Sequence, residues 1–262
     1  MIPLYDSVPT RSRPVVNYAI LAITSAVFLL QLLEGSGGSS LIERFGLIPA
    51  RLLDLSVEVP ITELVLVRGN QLREVVRPAE ASPLPTFLTL FTCMFLHGGW
   101  LHFLGNMWSL WIFGDNVEDH LGHRGYALFY LGTGLAASLA QFLVDVDSTI
   151  PTIGASGAIA GVMGAYFLLY PRARVVVLVP LGFLFWTTAM PAPIFLGLWF
   201  FLQLFQGAFA TGAGVAWWAH IGGFVAGYLV VRLLGGRNGS GPRPQVLRAR
   251  SNDPVPVDRR RW

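Results

Sequence analysis

Charge is scarce in this chain. Only 13% of its 262 residues are charged and 53% are hydrophobic, whereas a soluble domain carries about 25% charged residues. So little charge cannot solvate a folded surface of this size. The same balance excludes wholesale disorder, which needs low hydrophobicity and high charge. Cys93 is the single cysteine, so a disulfide scaffold within the chain is excluded. Lysine is absent, and all 18 basic residues are arginine. No phosphate-binding glycine loop occurs. The five histidines show no ligand spacing with cysteines or acids, so neither a metal nor another cofactor is expected. No apolar segment with a small-residue cleavage site opens the chain, and no secretory signal peptide is expected.

What the chain does have is apolar runs of membrane-spanning length. Its net charge of +3 and pI near 9.3 would suit a nucleic-acid binder. The arginines, however, gather near the N-terminus, in gaps between apolar runs and in the last 30 or so residues. Charge borders membrane spans in this way, so the expected surroundings are a lipid bilayer and no nucleic acid. A helical span takes about 20 mainly apolar residues. Val15–Leu33, Trp100–Val117, Tyr126–Val144, Ser156–Tyr170, Ile194–Phe209 and Ala216–Leu234 qualify, with Phe87–Leu96 as a half-buried lead-in to the second.

The connections read as follows. A Gly/Ser turn covers Gly35–Ser40. Residues 41–85 are charged and extramembrane, and within them Ile61–Val67 and Gln71–Val76 flank Arg68-Gly69-Asn70 as a short hairpin. Asp115–Arg124 forms a polar loop. Val175–Thr188, apolar but containing Pro180 and Gly182, suits an interfacial or re-entrant piece. Thr211–Gly214 is a turn, and the Gly-, Pro- and Arg-rich stretch from Gly235 should be disordered. The expected fold is an all-α membrane protein, a bundle of six transmembrane helices with an extended loop between the first and second. The expected divisions are an N-terminal segment 1–13, a core 14–236 with the extramembrane loop 35–85 inside it, and a tail 237–262. Six spans place 13 arginines on the side of the termini against 5 opposite, so both termini are expected to be cytoplasmic.

Polar groups inside spans are costly and each needs a reason. Gly154-Ala155-Ser156-Gly157 opens the fourth span. A serine there has an exposed hydroxyl, and its amide is among the unpaired donors of a helix start, where the helix dipole favours an oxyanion. An N-cap serine with packing glycines looks the same. His220, Gly223 and Gly227 share one face of the sixth span. Gly157 and Gly161 form a matching small-residue face, which suggests that the fourth and sixth spans touch and bring Ser156 and His220 to one depth. A histidine bonded to a neighbouring carbonyl is the alternative. His102 and Asn106 are i, i+4 neighbours near the outer end of the second span. They would serve either as donors to a developing oxyanion or as an interhelical polar clamp. His97, in the bend with Gly98 and Gly99, reads as structural.

Together these motifs resemble the rhomboid family of intramembrane serine proteases. The chain has GxSG at Gly154–Gly157, HxxxN at His102 and Asn106, AHxxGxxxG at Ala219, His220, Gly223 and Gly227, and GxxxExxxG at Gly114, Glu118 and Gly122. The resemblance covers about residues 14–236. It implies that Ser156 is the nucleophile and His220 the general base, that His102, Asn106 and the Ser156 amide form the oxyanion hole, and that transmembrane protein substrates are cleaved without a cofactor. His97, Glu118, Gly154, Gly157, Gly161, Gly223 and Gly227 would be structural. A rhomboid-like non-catalytic binder of client transmembrane helices is the competing class, although the chain keeps both serine and histidine. A transporter fits less well, since no strong internal repeat and no paired acids occur in the spans. The fourth span, at 15 residues, is about 22 Å long against a hydrocarbon core of about 30 Å, so its serine should sit recessed in a water-filled cavity. Many rhomboids stack an aromatic residue, four positions after the serine, on the catalytic histidine. Here that position is Ala160, which leaves Tyr166 or Trp217 to orient His220. The composition points to a multi-pass protein, with a prokaryotic plasma membrane as the expected location, and sets no oligomeric state.

Overall fold

The computed structural model describes residues 1–34, 39–54, 56–67, 71–181, 184–209 and 215–236. Four sequence expectations fall wholly or mostly outside these: the Gly/Ser turn after residue 34, the Arg68-Gly69-Asn70 turn, the Thr211–Gly214 turn and the tail 237–262. The described part is mostly helical. Its long helices are α1 (Val15–Leu33), α5 (Trp100–Val144), α6 (Ser156–Leu169), α7 (Ala192–Phe209) and α8 (Trp217–Leu233), and short α2 (Ser39–Phe45), α3 (Pro49–Leu53) and α4 (Thr89–Thr92) lie between α1 and α5. Among the described helices, α1, α5 and α7 are long and apolar enough to cross a membrane.

The 45-residue α5 is two helices in one run, because Gly122 has φ 71° and ψ 161°. A left-handed φ of this kind suits a residue without Cβ, and the chain turns back there. The polar loop expected over Asp115–Arg124 is thereby reduced to a single residue. Asp115, Asn116 and Glu118 are helical and buried, and each makes side-chain hydrogen bonds, Asp115 with Asn116, Asn116 with Asp6 and Glu118 with α1. Glu118 accepts from the backbone N–H of Val16 at 2.9 Å and of Asn17 at 2.7 Å, and its Oε1 lies 2.5 Å from His123 Nδ1. Those two amides belong to the first turn of α1, whose N–H groups have no partner within the helix. Asp119 accepts from both the amide and the hydroxyl of Ser12. The acids at the α5 break therefore hold the start of α1 in place. This is the contact set of the Gly114-Glu118-Gly122 motif.

The stretch read as interfacial or re-entrant is instead a β-hairpin, β4 (Arg174–Leu181) and β5 (Leu184–Pro191). It joins β1 (Ile2–Asp6) in an antiparallel sheet of order β1-β4-β5. Val175, Val176 and Val177 explain the strand: β-branched side chains favour extended backbone, and all three are buried. Pro180, which cannot donate to a ladder, lies beyond the part of β4 that β1 pairs, Val175–Leu178. The pairing also draws residues 2–6 into the body of the protein. Asp6 accepts from Asn116 Nδ2 at 2.8 Å and from the Tyr166 hydroxyl at 2.5 Å, tying β1 to α5 and α6.

At the opposite end, β2 (Pro60–Val67) and β3 (Gln71–Pro78) form the hairpin expected from the two β-branched runs. Arg77 grips Glu43 of α2 with two nitrogens, each at 2.9 Å, and the Glu80 amide adds a third bond at 2.8 Å. The Arg77 guanidinium holds the Glu43 carboxyl below its ordinary value, with the Glu80 amide helping. The sign follows. A carboxyl whose folded value is lowered stabilises fully above its unfolded value near 4.5 and loses that contribution as pH falls through the folded value. Limited proteolysis of the β2–β3 hairpin should therefore accelerate below about pH 4, and Glu43→Gln should show that accelerated cleavage already at pH 7. Equal protection of wild type and variant at both pH values would show that the hairpin does not depend on this pair.

The centre of the molecule is α6, whose residues Gly157–Tyr166 are all buried. It packs against α8 through glycine. A Cβ on Gly223 would overlap the carbonyl oxygen of Gly157, and one on Gly227 that of Gly161. The two backbones are in direct contact, as small-residue faces permit. Gly227→Val should lower the thermal midpoint in detergent by more than 10 °C, since the carbonyl it meets belongs to a helix backbone and cannot turn aside. Gly132→Val, where a Cβ meets nothing within 4 Å, should change the midpoint by no more than a few degrees. Equal midpoints for the two variants would contradict the packing.

Candidate active site

Three elements place the polar side chains at the N-terminal ends of α5, α6 and α8. The segment leading into α6 is strapped down first. Leu47 and Thr152 exchange backbone hydrogen bonds of 3.1 and 2.7 Å, Ala50 N–H reaches Ser148 O, and Gly154 N–H reaches Cys93 O at 2.9 Å. Gly154 then takes φ +119°, which favours glycine, and a Cβ there would stand 2.6 Å from His102 Nε2. Ala155 takes the N-cap position and Ser156 begins α6. Its amide is therefore one of the first-turn donors that the helix itself cannot satisfy.

His220 lies in the first turn of α8 and is buried. Its Nε2 is 2.7 Å from Ser156 Oγ and its Nδ1 is 2.6 Å from Gln203 Oε1 of α7. The α6–α8 glycine contact sets this distance, because Gly223, one turn after His220, meets Gly157, the neighbour of Ser156.

His102 and Asn106 face the same space from α5. A cavity of about 580 Å³ is lined by His102, Asn106, Ser156 and His220, with Trp199 and Met163 among its walls. That volume falls in the ordinary range for ligand pockets. Asn106 Nδ2 is buried and has no hydrogen-bond partner. His102 Nδ1 lies 3.4 Å from the Gly98 N–H, and a ring proton on Nε2 would point to the side of Gly154 and Ser156. Two side-chain donors thus converge on the space in front of the serine.

The residues read as structural do not line this space. His97 is buried beside it, and its backbone N–H and C=O each bond the Gln31 amide at 3.0 Å. Its ring packs against Phe28, Phe103 and His102. Glu118 is at the far end of the molecule, on the start of α1. Tyr166, one of the two residues expected to orient His220, donates to Asp6 instead. Trp217, the other, lies 6.1 Å from the His220 ring at 83°, and Trp199 lies 5.8 Å away at 40°. Sequence reasoning missed Gln203 and Trp199. Gln203, a polar residue within an apolar span, was the available signal. Among the described residues, no three His, Cys, Asp or Glu side chains cluster so as to hold a metal ion.

The Rhomboid domain family matches residues 85–237, which contain every one of these site residues. The chain belongs to the rhomboid family. It is 28% identical to rhomboid protease GluP of Bacillus subtilis over 223 residues, 85% of this chain and 35% of that protein. It is 40% identical to RHOMBOID-like protein 5 of Arabidopsis thaliana over 76 residues, 29% of this chain and 25% of that one. With the mitochondrial rhomboid protein 1 of Saccharomyces cerevisiae it shares 28% over 151 residues, 54% of this chain and 40% of that one. The matches span about a quarter to two-fifths of the length of these relatives. This rhomboid is a multi-pass integral membrane protein, by its family and its apolar helices.

Gly154→Ala tests the geometry at the mouth of α6. Alanine at φ +119° is strained by roughly 1–3 kcal/mol, and its methyl would push the His102 ring away. Fluorophosphonate labelling of the detergent-solubilised protein should slow at least tenfold while the thermal midpoint falls only a few degrees. An unchanged labelling rate would mean that His102 does not contribute to reactivity at the serine.

Proposed function

We propose that this rhomboid is an intramembrane serine endopeptidase that cleaves transmembrane segments of other membrane proteins. The carrying observation is the 2.7 Å contact between His220 Nε2 and Ser156 Oγ at the wall of a cavity. In this reading Ser156 is the nucleophile and His220 the general base. His220 takes the hydroxyl proton as Oγ attacks the scissile carbonyl carbon. The oxyanion that forms accepts hydrogen bonds from the Ser156 amide, His102 Nε2 and Asn106 Nδ2. Collapse breaks the C–N bond, His220 returns its proton to the leaving amine, and an acyl-enzyme remains. Water entering the cavity, deprotonated by His220, releases the second fragment. The buried Asn106 amide, whose Nδ2 has no hydrogen-bond partner among the described residues, supports this assignment as a donor available to the oxyanion.

The membrane arrangement follows in the same reading. Six spans are α1, the two limbs of α5 (100–121 and 123–144), α6, α7 and α8, within a core of residues 14–236. Both termini and the β1-β4-β5 sheet face the cytoplasm of a prokaryotic cell. α6 has 14 residues, about 21 Å, so a helix that meets the inner surface holds Ser156 below the outer one, where the cavity supplies water.

Ser156→Ala should abolish cleavage of a single-span test substrate in liposomes without changing the thermal midpoint. His102→Ala and Asn106→Ala should each lower kcat by about 10²–10³, the usual cost of one oxyanion donor, with KM changed by less than threefold. Cleavage by Ser156→Ala at an appreciable fraction of the wild-type rate would eliminate serine catalysis. Wild-type kcat in both donor variants would return His102 and Asn106 to a clamp role. Binding of the substrate by the wild-type protein without cleavage would favour a non-catalytic binder of client helices.

A further inference from the structure

We infer that Gln203 is a positioning residue for His220, holding the imidazole in the tautomer and orientation that leave Nε2 free to accept the Ser156 proton; the inference rests on the protease reading above. An imidazole can act as base through Nε2 only if its proton resides on Nδ1. Nδ1 therefore needs an acceptor. Gln203 Oε1 is 2.6 Å from it, and among the described residues no carboxylate hydrogen-bonds to His220. The reverse orientation of the amide would present its N–H₂ to Nδ1 and leave the proton on Nε2, the wrong nitrogen. With the amide oxygen facing the ring and the proton on Nδ1, Nε2 is free to accept from the Ser156 hydroxyl across the 2.7 Å contact.

Ring contacts alone do not fix the imidazole. Ala160 offers no aromatic face, and the two indoles lie at 5.8 and 6.1 Å with interplanar angles of 40° and 83°. These confine the ring without selecting a tautomer. Gln203 itself is well placed to do so. It is 6% exposed and shares with Phe195 and Leu196 the buried side of α7. One turn later, a Cβ on Gly207 would lie 3.3 Å from Trp217 Cβ, so α7 and α8 approach closely at this level. α7 is thus the third helix of the site, contributing the group that prepares the base.

The test uses the full chain with three variants and two readouts. Gln203→Met removes the acceptor at nearly constant volume, and Gln203→Glu restores one. Cleavage kinetics on the single-span substrate should show kcat lowered at least tenfold in Gln203→Met, with KM within twofold and the thermal midpoint within a few degrees. Gln203→Glu should recover most of kcat. The second readout is independent of turnover. ¹⁵N spectra of histidine-labelled protein, with the His220 signals assigned by their loss in His220→Ala, should show the Nδ1–H tautomer in wild type and a mixture in Gln203→Met. Wild-type kcat and an unchanged tautomer in Gln203→Met would overturn the inference. So would a kcat loss that tracks a fall in thermal stability and is not recovered by Gln203→Glu. If the wild-type protein has no Ser156-dependent cleavage but shows the tautomer change, the protease reading falls while the positioning by Gln203 stands.

Discussion

Everything at the site depends on how closely α6 and α8 can approach. Gly157 and Gly161 present carbonyl oxygens to the Cα positions of Gly223 and Gly227, with no side chain between the two helices. In a membrane the hydrophobic effect gives helices no reason to associate with one another, so packing and polar contacts must supply it. Close backbone contact maximises the packing part. It also fixes depth and register, because the contact repeats every four residues along both helices. Ser156 precedes the first of these contacts and His220 lies one turn before Gly223. Their 2.7 Å separation is thus the end of a rigid glycine seam, independent of any loop.

The polar groups divide between the two ends of the bundle and do different work. At the end where α1 begins most are hydrogen-bonded, Asn116 Oδ1 being an exception. Glu118 bonds two amides of α1 and His123, Asn17 bonds Leu110 O and the Tyr126 hydroxyl, and Tyr170 bonds Asn116 O. A satisfied buried network rigidifies, and here it locks α1, both limbs of α5, α6 and strand β1 together. At the end that carries Ser156 the bonding is incomplete. Asn106 Nδ2 has no partner and His102 makes only the 3.4 Å contact with Gly98. Two polar side chains with little else bonded to them thus stand beside a serine.

The apolar helices, the glycine faces and the β2–β3 hairpin were legible because they are local: apolar length, i, i+3 and i+4 spacing, and two β-branched runs close in sequence. The serine, the histidine and the HxxxN pair stood out because polar residues in apolar runs are rare. Three features were not legible, each because it depends on how residues pair in the fold. Asp115 and Glu118 read as a loop, since sequence does not show that Glu118 accepts from the start of α1, about a hundred residues earlier, or that Asp115 pairs with Asn116. Val175–Leu181 read as an interfacial piece, since its β partner Ile2–Asp6 lies about 170 residues away. Gln203 was passed over as one polar residue of an apolar helix, since its meaning comes from facing His220 across a helix–helix contact. Ala160 signalled that another side chain must face the histidine; Tyr166 is engaged at Asp6, whereas Trp217 and Trp199 flank the ring and Gln203 of α7 meets its Nδ1.

The central claim is that Ser156 is a nucleophile activated by His220 in a folded, membrane-embedded site. Its most direct test is to react the protein in liposomes with a fluorophosphonate and map the adduct by mass spectrometry. The account predicts a single covalent adduct on the peptide containing Ser156, absent when the protein is unfolded and absent in His220→Ala. Labelling that falls on another serine, or that persists in full on Ser156 without His220, would contradict it.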